Sequence, residues 1–501
     1  MQKERKILTF FVDRHIIHIL FEIVSLSFRL AIGEMNMSKS NVIIKSGLWY
    51  TVSNFLSKGI LFLATPIFTR LLTKEEFGSF SNFSSWLNLL VIIVTLNVEV
   101  SLISARYDYE KTLDNFVFSA LSLSSLSTLI WAVVCNIFMA PISAFLKLDP
   151  VYINCMFVYL LFFPALQLFQ AQERFLFRYK VSATLSLLTT VGSCALSLAL
   201  MFMMRDRLSG RIFGHVIPTA LIGLGLYALL AVRGKGIHCS TWKYTLRVCL
   251  PYIPHLLSMT VLNSTDRIMI TQLRGDEETA LYSVAYSVAM IVTLLVTALN
   301  GAFSPWLAQQ LAKEDYGSIR KVSKIYIALF GVFALGLMLM APEVLLIMGG
   351  KGYMSAKPIM IPVMIGCICQ FLYTMFVNVE QFYKKTIGMA IASVSAAALN
   401  YVLNLWLIPR FGYVAAAYTT LVGYLWLLFI HMWLVRRLKK QQVYSYGFVF
   451  LALAVVAVLA VVIALLYQSN IARYACVVVY GAVLLGAAWK YRAKIRELLR
   501  K

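Results

Sequence analysis

Lys58 and Glu99 are charged residues placed well inside apolar stretches of the chain. An unpaired charge there, if the stretch lies in a bilayer, costs at least about 2.5–3.5 kcal/mol. Either the two neutralise each other as a buried pair, or Lys58 holds an anionic ligand while Glu99 takes up a coupling ion. Polar residues extend from both at helical spacing. Thr51, Asn54, Lys58, Phe62 and Thr65 recur every three or four positions, as do Ser81, Ser85, Asn88, Ile92, Thr95 and Glu99, which stacks each set on one helix face. Thr260, Asn263 and Arg267, with Asp266 beside Arg267, make a third stripe, and Ser283, Tyr286, Met290, Thr293, Thr297 and Asn300 a fourth. Such faces are costly in lipid, so they line a water-filled cavity or bond to one another between packed helices. Arg70, Arg174, Arg178, Arg274 and Lys384 lie near the ends of apolar stretches, where snorkelling explains a charge as well as ligand contact does. Cys367 and Cys369 are two positions apart and point to different helix faces, and the histidines show no ligand spacing. Neither a metal nor a cofactor is predicted.

The elements that position these residues follow from composition. Hydrophobic residues make up 60% of the 501 and charged ones 13%, more apolar surface than a soluble core of this size uses. The apolar residues fall into about 14 runs of roughly 20, each long enough to cross a bilayer as a helix; residues 79–104, 247–270 and 471–490 are among them. An all-α polytopic membrane protein is expected. The net charge of +23 resides mostly in alternate connections, including Arg233, Lys235, Lys243 and Arg247, then Arg320, Lys321 and Lys324, then Arg436 and Arg437. That bias places both termini in the cytoplasm and implies no nucleic-acid partner.

The chain also repeats itself. Thr69–Ser81 returns as Thr271–Ser283, an offset of 202 residues, with Thr69, Leu71, Glu75, Glu76 and Ser81 meeting identical residues. A period of six helices makes the halves parallel about an axis along the membrane normal. The expected organisation is a cytoplasmic amino-terminal segment at 1–44, six-helix bundles at 45–245 and 246–440, and an added helix pair with a basic tail at 441–501. Residues 1–36 are expected to precede the true start at Met37, or else to form an interfacial helix; no cleavable signal peptide is predicted.

Three segments of the second half resemble the polysaccharide exporters of the multidrug/oligosaccharidyl-lipid/polysaccharide superfamily. They are Thr265–Ala289 with its Asp-Arg pair and Tyr-Ser-x-Ala-Tyr run, the glycine-rich Ile347–Pro362, and Ala398–Thr420 with Asn400, Asn404 and an Ile-Pro-Arg turn. Ser46-Gly47 and Thr69–Leu72 match in the first half. The Gly349–Gly352 run lacks the spacing of a phosphate-binding P-loop and reads as a turn. The resemblance implies a flippase, not an enzyme, in a bacterial cytoplasmic membrane. It would move undecaprenyl-pyrophosphate-linked repeat units for O-antigen, capsule or exopolysaccharide, with polymerase and other polysaccharide-assembly proteins as partners. On that implication Lys58 and Arg267, with Arg70, meet phosphate. Asn54, Asn88, Asn263, Asn300, Asn400 and Asn404 bond sugar hydroxyls, Tyr286 stacks on a sugar ring, and Glu99 and Asp266 are ion-coupling candidates. Alternatives are a cation-coupled multidrug exporter of the same superfamily, and an integral-membrane polymerase or ligase. The latter generally needs a long outer loop or an acidic loop motif, and no Asp-x-Asp occurs.

Overall fold

A computed structural model describes residues 40–176, 178–234, 236–438 and 442–490; the expectations for 1–36 and for the basic tail lie outside it. The described elements are helical, with no strand among them. The first half contains α1 (Ser40–Leu71), α2 (Lys74–Val94), α3 (Leu102–Asp108), α4 (Leu113–Ile137), α5 (Met139–Leu146), α6 (Pro150–Phe175), α7 (Tyr179–Met203) and α8 (Arg207–Arg233). A short helix, α9 (Cys239–Cys249), leads to the second half. That half comprises α10 (Ile253–Arg274), α11 (Asp276–Ala312), α12 (Tyr316–Gly349), α13 (Met360–Phe382), α14 (Thr386–Phe411) and α15 (Tyr413–Leu438). Two more, α16 (Tyr446–Leu466) and α17 (Asn470–Lys490), follow. Eleven helices are long and apolar enough to span a membrane, and α9 with α10, bent by 54°, would make a twelfth. The expected number of about 14 is reached only by adding α1 and the shorter apolar α17.

Local chemistry sets the helix ends. Thr73 caps α2 in a capping box with Glu76, which satisfies two otherwise orphaned backbone donors. Gly275 at φ 100° separates α10 from α11, and Gly412 at φ 63° separates α14 from α15; both occupy backbone conformations that L residues resist. One predicted segment is corrected here. Residues 79–104 do not form one helix: α2 stops at Val94, Leu96 and Asn97 turn left-handed at φ 58° and 47°, and a 3-10 turn covers Val98–Ser101. Asparagine tolerates this conformation because its short amide bonds locally. The stripe of α2 therefore ends at Thr95, and Glu99 leaves it.

The largest hydrophobic core lies in the second half and draws in Ala64 and Phe68 of α1 and Leu72 just after it. Two smaller cores fill the first half. The final pair is fastened to α12: Arg473 forms a two-pronged ion pair with Glu343, and the Tyr467 hydroxyl donates to Met338 O at 2.6 Å.

Candidate functional site

The two copies of the repeated segment meet. At the end carrying the α1–α2 and α10–α11 turns, a Cβ on Gly78 would stand 1.8 Å from Asp276 O, so α2 and α11 touch backbone to backbone. Lys74 Nζ reaches Glu277 Oε1 at 2.7 Å. Lys147 Nζ donates to Thr271 O and Gln272 O, each at 3.0 Å, and Gln272 Nε2 donates to Phe145 O. The Thr69 hydroxyl adds a bond to Met348 O at 2.5 Å. These contacts clamp the halves together at that end.

Further along the same helices the polar residues are uncovered. Asn88 on α2, Asn263 on α10 and Thr297 on α11 are exposed, while Lys58, Arg267 and Tyr286 are half-buried. The halves thus touch at one end, and beyond it α2, α10 and α11 carry uncovered polar side chains, from which we infer a polar cleft between the halves. The Arg267 guanidinium lies over the rings of Tyr286 at 5.5 Å and Tyr282 at 5.9 Å, and donates to Asn263 O at 3.0 Å. Among the described ion pairs neither Arg267 nor Lys58 takes part. A cation resting on ring faces keeps its charge and donors available to an anion. The Tyr424 hydroxyl donates to Asn263 Oδ1 at 3.1 Å; Tyr424 carried no spacing signal and was missed from the sequence.

Asp266, one residue from Arg267 and so about 100° around the helix, points the other way. Its Oδ2 accepts from the hydroxyls of Tyr282 and Thr420, each at 2.5 Å, and its Oδ1 accepts from Asn404 Nδ2 at 2.6 Å. Asn404 also donates to Asn400 Oδ1 at 3.1 Å and accepts from Thr419. Asp266, Asn400, Asn404, Thr419 and Thr420 are all buried. Buried polar groups must find partners, and here they find each other.

Other predicted residues lie apart from the cleft. Asn400 and Asn404 belong to the shell of Asp266. Asn300 accepts from Asn378 Nδ2 at 2.6 Å and ties α11 to α13. Arg70 is exposed at the clamped end and turns back onto Pro66 O at 2.6 Å. Glu99 is half-buried in the turn after α2; burial raises its carboxyl above the ordinary value, with Arg174 the nearby opposing charge. Among the described ion pairs Glu99 does not join Lys58, and the left-handed break at Leu96 and Asn97 takes it off the helical face of α2. The Asn54 side chain lies outside the described residues.

Two lobes, a clamp made by repeated segments and a polar cleft between them define a class: a membrane transporter with the two-bundle architecture. Comparison with known proteins supplies the family. The profile of a family described as polysaccharide biosynthesis protein matches residues 43–311, and that of MatE matches 251–406. The chain belongs to the polysaccharide biosynthesis protein family. It is 22% identical over 354 residues to protein 1 of the Lsg locus of Haemophilus influenzae, covering 68% of this chain and 86% of that one. Among solved structures it is similar to the lipid II flippase MurJ in an inward closed conformation, with a TM-score of 0.65, 13% identity, and coverage of 89% of this chain and all of that one. An inward-facing multidrug resistance MATE transporter of the MOP superfamily gives a TM-score of 0.53 at 14% identity, covering 84% and 99%.

Proposed function

We propose that this chain flips lipid-linked oligosaccharides across a membrane by alternating access. The observation that carries the reading is Arg267, held in the cleft on two tyrosine faces beside Asn263 and Tyr424, with no acid in an ion pair with it among the described residues. A sugar-pyrophosphate needs cations for phosphate and hydrogen-bonding walls for hydroxyls. Arg267 and Lys58 serve the phosphates; Asn88 and Asn263, with Asn54, serve the hydroxyls, and Tyr286 offers a ring face. Asn300, Asn400, Asn404 and Arg70 are left out of this set because each is engaged elsewhere. Asp266 and Glu99 stand as ion-coupling groups.

The likeness in fold to a lipid II flippase and the family membership support a substrate of this type. The finer proposal is an undecaprenyl-pyrophosphate-linked repeat unit for O-antigen, capsule or exopolysaccharide, moved across the bacterial inner membrane. The Lys/Arg bias supports cytoplasmic termini, which makes the clamped end the outer one and opens the cleft inward. Polymerase and other assembly proteins would then receive the product. The inside-negative potential favours outward movement of the anionic head group by about 2.3 kcal/mol per charge per 100 mV. Multidrug efflux fits less well, because organic cations need an accessible acid and Asp266 is sealed.

In a deletion strain, lipid-linked repeat units should accumulate facing the cytoplasm. Lys58→Ala and Arg267→Ala, at unchanged protein level, should leave that accumulation uncorrected. Full complementation by both variants would remove the phosphate role.

A further inference from the structure

The contacts of Arg267 leave open what holds its guanidinium in place. Among the described contacts it donates to Asn263 O, within its own helix, and otherwise rests on the rings of Tyr282 and Tyr286. A long, flexible stem such as arginine's has many rotamers to lose, so the rings beneath it have to be fixed first. Tyr282 is 1% exposed and packs on Tyr286 with centroids 4.7 Å apart. Its hydroxyl donates to Asp266 Oδ2 at 2.5 Å. Asp266 is held in turn by the Thr420 hydroxyl on the same oxygen and by Asn404 on Oδ1. Both carboxyl oxygens are thus engaged away from Arg267, although the two residues are neighbours in sequence. A hydroxyl that donates to a carboxyl group also pushes electron density into its ring, which strengthens the hold of the ring face on a guanidinium.

The same face of α15 acts on a second donor. Thr420 and Tyr424 are four residues apart on α15, and Asn263 and Asp266 three apart on α10, so each pair shares a helix face. The Tyr424 hydroxyl donates to Asn263 Oδ1 at 3.1 Å, while Asn263 Nδ2 donates to Met259 O at 2.8 Å. A backbone carbonyl can only accept, so the Met259 contact fixes which end of the amide carries the nitrogen. With Oδ1 taken up by Tyr424, the second N–H of the exposed Asn263 is left to donate. One turn further on stands Arg267, whose polar atoms are all donors. Donors grouped in this way suit a phosphate oxygen, which only accepts.

We propose that Tyr282 and Tyr424 are positioning residues, whose hydroxyls hold Arg267 and Asn263 as one phosphate-accepting face. Tyr282 acts by keeping its ring under the guanidinium, and the buried web around Asp266 acts through Tyr282. Tyr424 acts by fixing the orientation of the Asn263 amide. The proposal assigns Asn263 to the phosphates rather than to sugar hydroxyls. It deepens the transport reading above and rests on it for the identity of the anion.

The test removes single hydroxyls and leaves the rings. In lipid nanodiscs, the Nε–H resonance of Arg267, assigned by its loss in Arg267→Gln, reports the order of the guanidinium. It should be rigid in the wild-type chain and lose order in Tyr282→Phe; unchanged order overturns the role of Tyr282. Binding of inorganic pyrophosphate is then measured by calorimetry on the same samples. Tyr282→Phe and Tyr424→Phe should each weaken it about tenfold, the scale of one hydrogen bond beside a charge. A positioning residue acts only through its partner, so Tyr282→Phe should add nothing in an Arg267→Gln chain, nor Tyr424→Phe in an Asn263→Ala chain. Equal weakening with and without the partner would mean a general loosening of the fold and overturns the proposal. If the wild type binds no pyrophosphate while Tyr282→Phe still frees Arg267, the phosphate reading fails and the positioning of Arg267 stands. If pyrophosphate binds equally well to all three chains, the positioning fails and the transport reading stands.

Discussion

The first half seals an arginine in aromatic rings and the second seals acids among polar side chains. Arg211, a turn inside α8, lies buried between the rings of Phe68 and Phe80, with its guanidinium carbon 3.8 and 4.1 Å from their centroids. Its polar partner is Ser197 Oγ at 2.8 Å, and its Nε has none. Glu173, the buried acid of that half, sits at the end of α6 and faces Arg178 at 3.7 Å. The second half instead buries Asp266 in a web of hydroxyls and amides and Glu380 against His431. Halves that share a repeat therefore divide the work. A cation on aromatic faces pins α1, α2 and α8. The acids of the second half are held instead by hydroxyl, amide and imidazole groups that tie α10 to α11, α14 and α15, and α13 to α15. From the sequence, Lys58 and Glu99 of the first half stand out as charges within apolar stretches; the structure adds buried acids in the second half and moves Glu99 into a turn.

That division can be broken by substitution. Asp266→Leu should have the largest effect, because it leaves the donors on Tyr282, Thr420 and Asn404 orphaned. At about 1 kcal/mol or more for each, thermal unfolding in detergent should report a loss of at least about 3 kcal/mol, and translocation should be lost with it. Asp266→Asn should recover much of the stability and little of the transport. Gly78→Val comes next. Its side chain would meet the Asp276 backbone, and overpacking of about 1–3 kcal/mol should shift the population away from the clamped state by roughly tenfold or more, read as labelling of a cysteine placed in the cleft from the outer side. Arg211→Met should change stability by less than about 1.5 kcal/mol in either direction, since losing two ring contacts offsets the relief of a buried charge. A loss as large as that of Asp266→Leu would erase the contrast between the halves. Lys74→Ala should be smallest, about 1 kcal/mol or less and screened by salt, because the pair with Glu277 is exposed.

The spans and the repeat were legible because hydropathy and the 202-residue offset are local or self-referential signals. The break after α2 was not, because Leu96 carries no mark of a left-handed residue and Asn97 alone is a weak one. His431 and Glu380 are 51 residues apart, each isolated in an apolar helix, so that nothing in the sequence joins them. The stripes gave the helical face of Asn263 and Arg267 correctly. They could not tell that Asp266 faces inward to meet Asn400 and Asn404, because that depends on how α10 packs against α14 and α15. The final helix pair read from the sequence as an addition to the two bundles. Its attachment rests on Arg473 and Glu343, 130 residues apart.

The central claim is that repeated segments clamp one end of a cleft through which a lipid-linked oligosaccharide passes. Lys74→Cys with Glu277→Cys, in a chain whose exposed Cys239 is replaced by serine, allows the clamp to be locked with a reducible bis-maleimide. Vesicles containing the protein and undecaprenyl-pyrophosphate-linked oligosaccharide would be scored for sugar that becomes accessible to a lectin across the bilayer. Translocation should stop on cross-linking and return on reduction. Translocation that continues at the same rate through a locked clamp would contradict the account.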